Sequence, residues 1–145
     1  MSDLVHQLVT TQAAARPGHA ALTYKGERRT YAELADLVAD LARALAGLGL
    51  GHGERLAVYL EKRIETVAAL FGATMAGGVF VPVNPLLRPR QLGYILRDCA
   101  VRVLVTSPER APDLAEELAA CPELLTLVLT GPVPALAVSG SIPSL

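Results

Sequence analysis

Apolar positions near the start of the chain recur at helical spacing. Leu4, Val5, Leu8 and Val9, with Gln12, share one face, and Arg16-Pro17-Gly18 stops that helix. Two short extended runs follow, Ala20 to Tyr24 and Arg28 to Thr30. Lys25-Gly26 joins them, with a glycine free to take the positive φ of a tight hairpin. Leu34, Leu37, Val38, Leu41, Leu45 and Leu48 then form one apolar face, the strongest helix signal in the chain. Gly47, Gly49, Gly51 and Gly53 end it. From there strands and helices alternate. Leu56–Leu60, Val79–Val83, Val101–Thr106 and Leu124–Leu129 read as strands. Arg63–Ala76 and Pro89–Cys99 read as helices, and Ser107-Pro108 opens a third that runs through Ala120.

The strands are continuous aliphatic runs, which predicts a sheet covered on both faces. Strand–helix–strand repeats of this length predict parallel pairing through crossover helices. The fold class is therefore α/β, a parallel sheet flanked by helices. After Glu123 no charge appears, and Gly131-Pro132-Val133-Pro134 breaks regular structure. One domain over residues 1–130 and an irregular tail over 131–145 are expected.

Composition narrows the function classes. The chain has 145 residues, 52% hydrophobic and 19% charged, with a net charge of −1. That excludes disorder and gives no basic stripe for a nucleic acid. Residues 66–87 carry no charge, but Gly72, Gly77, Gly78, Pro82, Asn84 and Pro85 punctuate them. A buried helix followed by a buried strand is expected there, not a membrane span. Cys99 and Cys121 are too few for a disulfide framework, which points to a reducing, cytoplasmic compartment. Buried inert thiols are expected at both.

A search for chemistry finds no self-contained active site. Gly49-Leu50-Gly51-His52-Gly53 follows a helix rather than a strand, so it reads as a helix stop and not as a dinucleotide loop. Gly72 and Gly77 have Walker spacing, but Gly78 stands where the lysine is needed. His6, His19 and His52 lie far apart and read as solvated, with no metal site. Ala137-Val138-Ser139-Gly140-Ser141 lacks the first glycine of a nucleophile elbow. No catalytic residue is assigned.

Two segments carry a family likeness. Thr30-Tyr31-Ala32-Glu33-Leu34, physically a capping box, resembles the first core motif of the adenylate-forming enzymes. Ala76-Gly77-Gly78-Val79-Phe80-Val81-Pro82-Val83-Asn84-Pro85 is similar to their second, with Met75 where lysine is frequent. Gly53-Glu54-Arg55-Leu56-Ala57-Val58 and Tyr94-Ile95-Leu96-Arg97-Asp98-Cys99 stand at matching spacing. The likeness runs from Leu4 to Leu129 and looks closest to acyl-CoA ligases associated with exosortase systems.

The resemblance implies the N-terminal part of an AMP-forming acyl-CoA synthetase. In that family a carboxylate attacks the α-phosphate of ATP-Mg, and a thiol, usually coenzyme A, then displaces AMP. The phosphate loop, the magnesium-binding motif, the ribose-binding aspartate and the catalytic lysine of that family all match nothing in this chain. ATP, Mg2+ and coenzyme A are thus implied for the intact family member and none for this chain alone, which is expected to be inactive. Its implied partner is the remainder of the ligase or a second chain supplying it. Self-association through sheet surface left bare is a further expectation. A stand-alone α/β binding or interaction module, a pseudo-enzyme or one half of a split ligase, is the alternative. The resemblance implies one ligand contact, because some members place a basic residue just after the Asn-Pro pair, against coenzyme A phosphates. Here Leu86 holds that position, and Arg88 and Arg90 follow as the candidates.

Overall fold

The computed structural model describes residues 4–131 and 136–139. Helix α1 spans Gln7–Ala15, and strands β1 (Ala20–Tyr24) and β2 (Glu27–Thr30) form an antiparallel hairpin. Lys25 and Gly26 both take positive φ at its tip, 49° and 84°, the geometry that lets a two-residue turn follow the strand twist. Helix α2 covers Tyr31–Gly47. It starts where the capping box predicts: the Glu33 amide donates to Thr30 Oγ1 at 3.2 Å, and the Thr30 amide donates to Glu33 Oε2 at 2.8 Å.

Strand β3 (Arg55–Tyr59), helix α3 (Ile64–Met75), strand β4 (Val79–Pro82), helix α4 (Pro89–Asp98), strand β5 (Val101–Thr106), helix α5 (Ala111–Ala119) and strand β6 (Thr126–Thr130) follow in alternation. With Leu136–Ser139 as β7, the sheet order is β4-β3-β5-β6-β7, and β4, β3, β5 and β6 are parallel, as the aliphatic runs predict. Period-2 alternation splits each central strand between two cores. Leu56 and Val58 of β3, with Val103 and Val105 of β5, meet Leu41 and Leu45 of α2 and Ala68, Ala69 and Ala73 of α3. Ala57, Tyr59 and Leu104 face the other way, onto Leu92 and Leu96 of α4 and Leu114 and Leu118 of α5. A third cluster, Val9, Leu34 and Val38 with Ala21 and Leu22, seats α1 and the hairpin on α2. No helix among the described residues is long and apolar enough to cross a membrane.

Three expectations need correction. Helix α5 starts at Ala111 rather than Ser107. The amides of Arg110 and Ala111 bond to the Ser107 carbonyl at 3.1 and 3.2 Å, closing a turn. The helix begins only where Pro112 occupies its first positions. The segment after Gly131 is not irregular throughout, because Leu136–Ser139 forms β7, antiparallel to β6. An uncharged run of strand-forming residues beside an open strand edge pairs with it. The rest of the expected tail falls outside the described residues. The sheet surface expected to be bare is covered over its two central strands, where Leu56, Ala57, Val101, Leu104 and Val105 are completely buried between the helical layers, while edge strand β4 keeps Val79 exposed. The other exposed large apolar residues are Leu4, Val5 and Leu8 before and within α1, Leu86, Tyr94 and Leu125.

Gly77 and Gly78 turn the chain from α3 into β4. Gly77 takes φ +86°, and a Cβ on Gly78 would lie 3.2 Å from the carbonyl oxygens of both Ala73 and Glu54. Those oxygens belong to a helix end and to the residue before β3, and neither gives easily. Gly78→Ala should therefore lower stability by about 1–3 kcal/mol, read as a fall in the urea midpoint. Thr30→Ala should cost about 1 kcal/mol by the same measurement, since it frees a helix-start amide.

The capping box also has a pH signature. The hydrogen bond from the Thr30 amide holds the Glu33 carboxyl below its ordinary range. A carboxyl whose folded value is lowered stabilises above its unfolded value and stops doing so as acid protonates it. The gap between wild type and Glu33→Ala should be full above the ordinary carboxyl range and close as the pH falls through the lowered folded value.

Candidate functional site

Strand order places β3 at a reversal. The chain leaves β3 through α3 to pair β4 on one side, then returns through α4 to place β5 on the other. In open α/β sheets, ligands bind outside the carboxyl ends of the strands at such a point. A cleft of about 410 Å³ lies there, lined by Leu60, Glu61 and Arg63 after β3 and by Ser107, Glu109 and Arg110 after β5.

Each charged group in the cleft already has a partner. Arg63 meets Glu65 through two nitrogens, Nε at 3.0 Å and Nη2 at 3.3 Å, and this pairing makes its guanidinium still harder to deprotonate. Ser107 hydrogen-bonds the Glu109 carboxylate and draws its pKa down, with Arg63 adding a smaller Coulombic pull. Arg110 donates from Nη1 to the Pro85 carbonyl at 2.9 Å and sets Nη2 3.5 Å from Glu61 Oε1. Its guanidinium lies over the Tyr59 ring, 4.8 Å from the centroid. The Tyr59 hydroxyl in turn donates to the Leu87 carbonyl at 2.6 Å. Below this floor the buried Thr106 hydroxyl donates to the Tyr59 carbonyl at 2.9 Å.

Both sequence candidates sit at the start of α4, and they do different things. The Arg88 amide donates to Gln91 Oε1 at 2.9 Å, which supplies half of a capping box. Arg88 has no acceptor to complete the other half. Arg90 lines an open groove of about 430 Å³ with Leu87, Gln91, Tyr94 and Ile95. Arg88 and Arg90 are both exposed, and Arg88 is not part of the groove lining. The groove and the cleft meet at residues 85–87. Pro85 is bonded to Arg110 of the cleft, and Leu87 lines the groove.

Arg63, Tyr59 and Arg110 belong to no motif that the sequence displays. Their signal is positional: each ends or follows a strand at the carboxyl edge. Other expectations fared unevenly. Cys121 is buried, its thiol donates to the Glu117 carbonyl at 3.1 Å, and burial raises its pKa. Cys99, expected to be buried, is half-buried at the end of α4. His19 and His52 are exposed, whereas His6 is half-buried with its Nδ1 out of solvent and unpaired.

The residues present do not fit ATP-Mg. Among the described residues no group of three or more His, Cys, Asp or Glu side chains could hold a metal ion. The cleft's two guanidiniums are matched by Glu61 and Glu109 and leave no surplus positive charge for a triphosphate. The groove is different. Arg90 offers an uncommitted cation beside an exposed aromatic face, Tyr94, a pairing that suits a phosphorylated nucleoside.

A three-layer α/β unit with a cleft at the strand reversal is an architecture that many nucleotide-binding enzymes share. Comparison with known proteins makes it specific: residues 9–140 match the model of the AMP-binding enzyme family, and the chain belongs to that family. Surfactin synthase subunit 1 of Bacillus subtilis (strain 168) is 35% identical over 111 residues, 77% of this chain and 3% of that protein. Tyrocidine synthase 3 of Brevibacillus parabrevis is 33% identical over 127 residues, 88% of this chain and 2% of that protein. The anthranilate CoA ligase AuaEII, solved in complex with anthranoyl-AMP, superposes with a TM-score of 0.83 at 28% identity. That match covers 87% of this chain and 24% of the ligase. The chain thus spans a small share of each relative's length. Peptide synthetases and an aryl-CoA ligase do not support the narrower likeness to exosortase-associated ligases, and the assignment stands at the family.

The Thr106 hydroxyl is fully buried and ties β5 to β3 under the cleft. Thr106→Val keeps the shape and leaves the Tyr59 carbonyl without that donor. It should cost about 1 kcal/mol in urea unfolding.

Proposed function

We propose that this chain forms the N-terminal part of an ATP-dependent, AMP-forming acyl-CoA ligase and has no ligase activity alone. The remainder of the large domain and the small domain, on the same chain or a second one, would supply the phosphate-binding and metal-binding groups, and the assembly would work in the cytoplasm. In that assembly ATP-Mg would supply an adenylyl group and coenzyme A a thiol. The contribution of this chain is to bind and orient. One observation carries the choice of coenzyme A over a carrier-protein thiol: the Arg90 groove, with Tyr94 and Gln91 beside it at the carboxyl end of the sheet. Arg90 would meet the nucleotide phosphates of coenzyme A, and Arg88 would support the turn that presents it.

Two measurements test this reading. The purified chain should show no acid-dependent exchange of labelled pyrophosphate into ATP, while the chain joined to its in-frame continuation should show it. Exchange by the chain alone, above a protein-free blank, overturns the assignment of inactivity. Adenosine 3′,5′-bisphosphate, which carries nucleotide phosphates of coenzyme A, should bind the chain in calorimetry. Arg90→Ala should weaken it about tenfold, the loss of one charged hydrogen bond, and Arg88→Ala should weaken it less. Equal affinity in wild type and Arg90→Ala removes Arg90 from the site.

A further inference from the structure

The segment that carries the groove is poorly held by its own backbone. Pro82, Pro85 and Pro89 have no amide to donate. After the Val83 amide bonds to Val58 at 2.9 Å, the remaining amide bonds are local. Leu86 donates to Asn84 Oδ1 at 3.0 Å, Leu87 donates to the Asn84 carbonyl at 3.1 Å, and Arg88 donates to Gln91. Two long-range tethers hold the segment to the sheet: Tyr59 to the Leu87 carbonyl and Arg110 to the Pro85 carbonyl. The tethers are themselves joined, since Arg110 lies over the Tyr59 ring.

We infer that Tyr59 and Arg110 are positioning residues, a clamp that sets residues 84–88 and so fixes where Arg90 and Leu87 stand in the groove. The geometry suits that task better than simple scaffolding. Tyr59 is almost fully buried at the end of a central strand, so its hydroxyl is aimed by the core. Arg110 is anchored at the start of α5, where its amide bonds to Ser107. Its planar fork serves the Pro85 carbonyl and the Glu61 carboxylate from separate nitrogens while its face covers the ring. A lysine ammonium cannot do all three. The clamp belongs to the cleft by Arg110 and to the groove by Leu87, so a shift at one must be felt at the other. Its consequence for a ligand rests on the coenzyme A reading, whereas its effect on the segment does not.

The test uses the full chain and three variants, Tyr59→Phe, Arg110→Gln and Arg110→Lys. Hydrogen exchange is read at the Leu86, Leu87 and Arg88 amides and, as a control, at Val103 to Val105. Tyr59→Phe and Arg110→Gln should speed exchange of the three segment amides about tenfold and leave the β5 amides unchanged, and Arg110→Lys should not restore protection. Calorimetry with adenosine 3′,5′-bisphosphate should show weaker binding in the same variants, although neither residue lines the groove. A lowered urea midpoint with unchanged segment exchange would make the pair mere scaffold and overturn the inference. So would unchanged affinity in variants whose segment has loosened, if wild type binds. If wild type does not bind the bisphosphate, the coenzyme A reading fails, and segment exchange alone decides the clamp.

Discussion

Burial of β3 and β5 on both faces is the constraint from which the rest follows. Leu56 and Val58 point one way, Ala57 and Tyr59 the other, and none is more than 4% exposed. A strand with no polar face must lie between two helical layers and two neighbouring strands. That requirement recruits α2 and α3 to one face and α4 and α5 to the other, and it forces crossover connections between parallel strands. It also decides where functional chemistry can sit. The sides and faces of the central strands are taken, so only their ends are free to carry polar groups. The carboxyl ends, where loops diverge at the strand reversal, are where Glu61, Arg63, Ser107 and Arg110 collect.

This logic explains which parts of the fold are legible in the sequence. Strand β5 reads off as Val101–Thr106 because a continuous aliphatic run bounded by a polar turn has few other homes. Helix α2 reads off to its first residue because Thr30 and Glu33 are a physical stop, each satisfying an amide of the other. The misreadings have equally physical origins. Ser107-Pro108 carries a good helix-start signal, but Ser107 is buried at the end of β5 and its hydroxyl is already engaged with Glu109. Tertiary position overrides local propensity there, and a second proline at 112 takes over the start. Strand β7 escapes a reading by pattern because Leu136–Ser139 is only four residues long and depends on the free edge of β6. Ala100, with φ +47° between α4 and β5, carries no glycine or asparagine to announce a left-handed turn.

Candidate site residues are legible to a different degree. Arg88 and Arg90 are found through a motif, and the structure separates their roles: one amide caps a helix, one side chain lines a groove. Tyr59 and Arg110 belong to no motif, and they lie 28 and 25 residues from the carbonyls they hold. Nothing local in a sequence announces a partner so far away. What does announce it is the deficit on the other side. A segment with Pro82, Pro85 and Pro89 has carbonyls in excess of amides, and a buried carbonyl needs a donor from somewhere.

The same imbalance accounts for the chemical character of the unit. Within the described residues the cations near the carboxyl ends are largely spent on the protein itself: Arg63 on Glu65, Arg110 on Pro85, Glu61 and Tyr59. Transfer of an adenylyl group requires donors and cations aimed at phosphate oxygens in advance, because reorganising them during the reaction forfeits most of the stabilisation. In this cleft both guanidiniums already face acidic partners of the same unit, Glu65 and Glu61. What this unit offers at that edge is a buried parallel sheet, a clamped proline-rich turn and, at the start of α4, the exposed guanidiniums of Arg88 and Arg90.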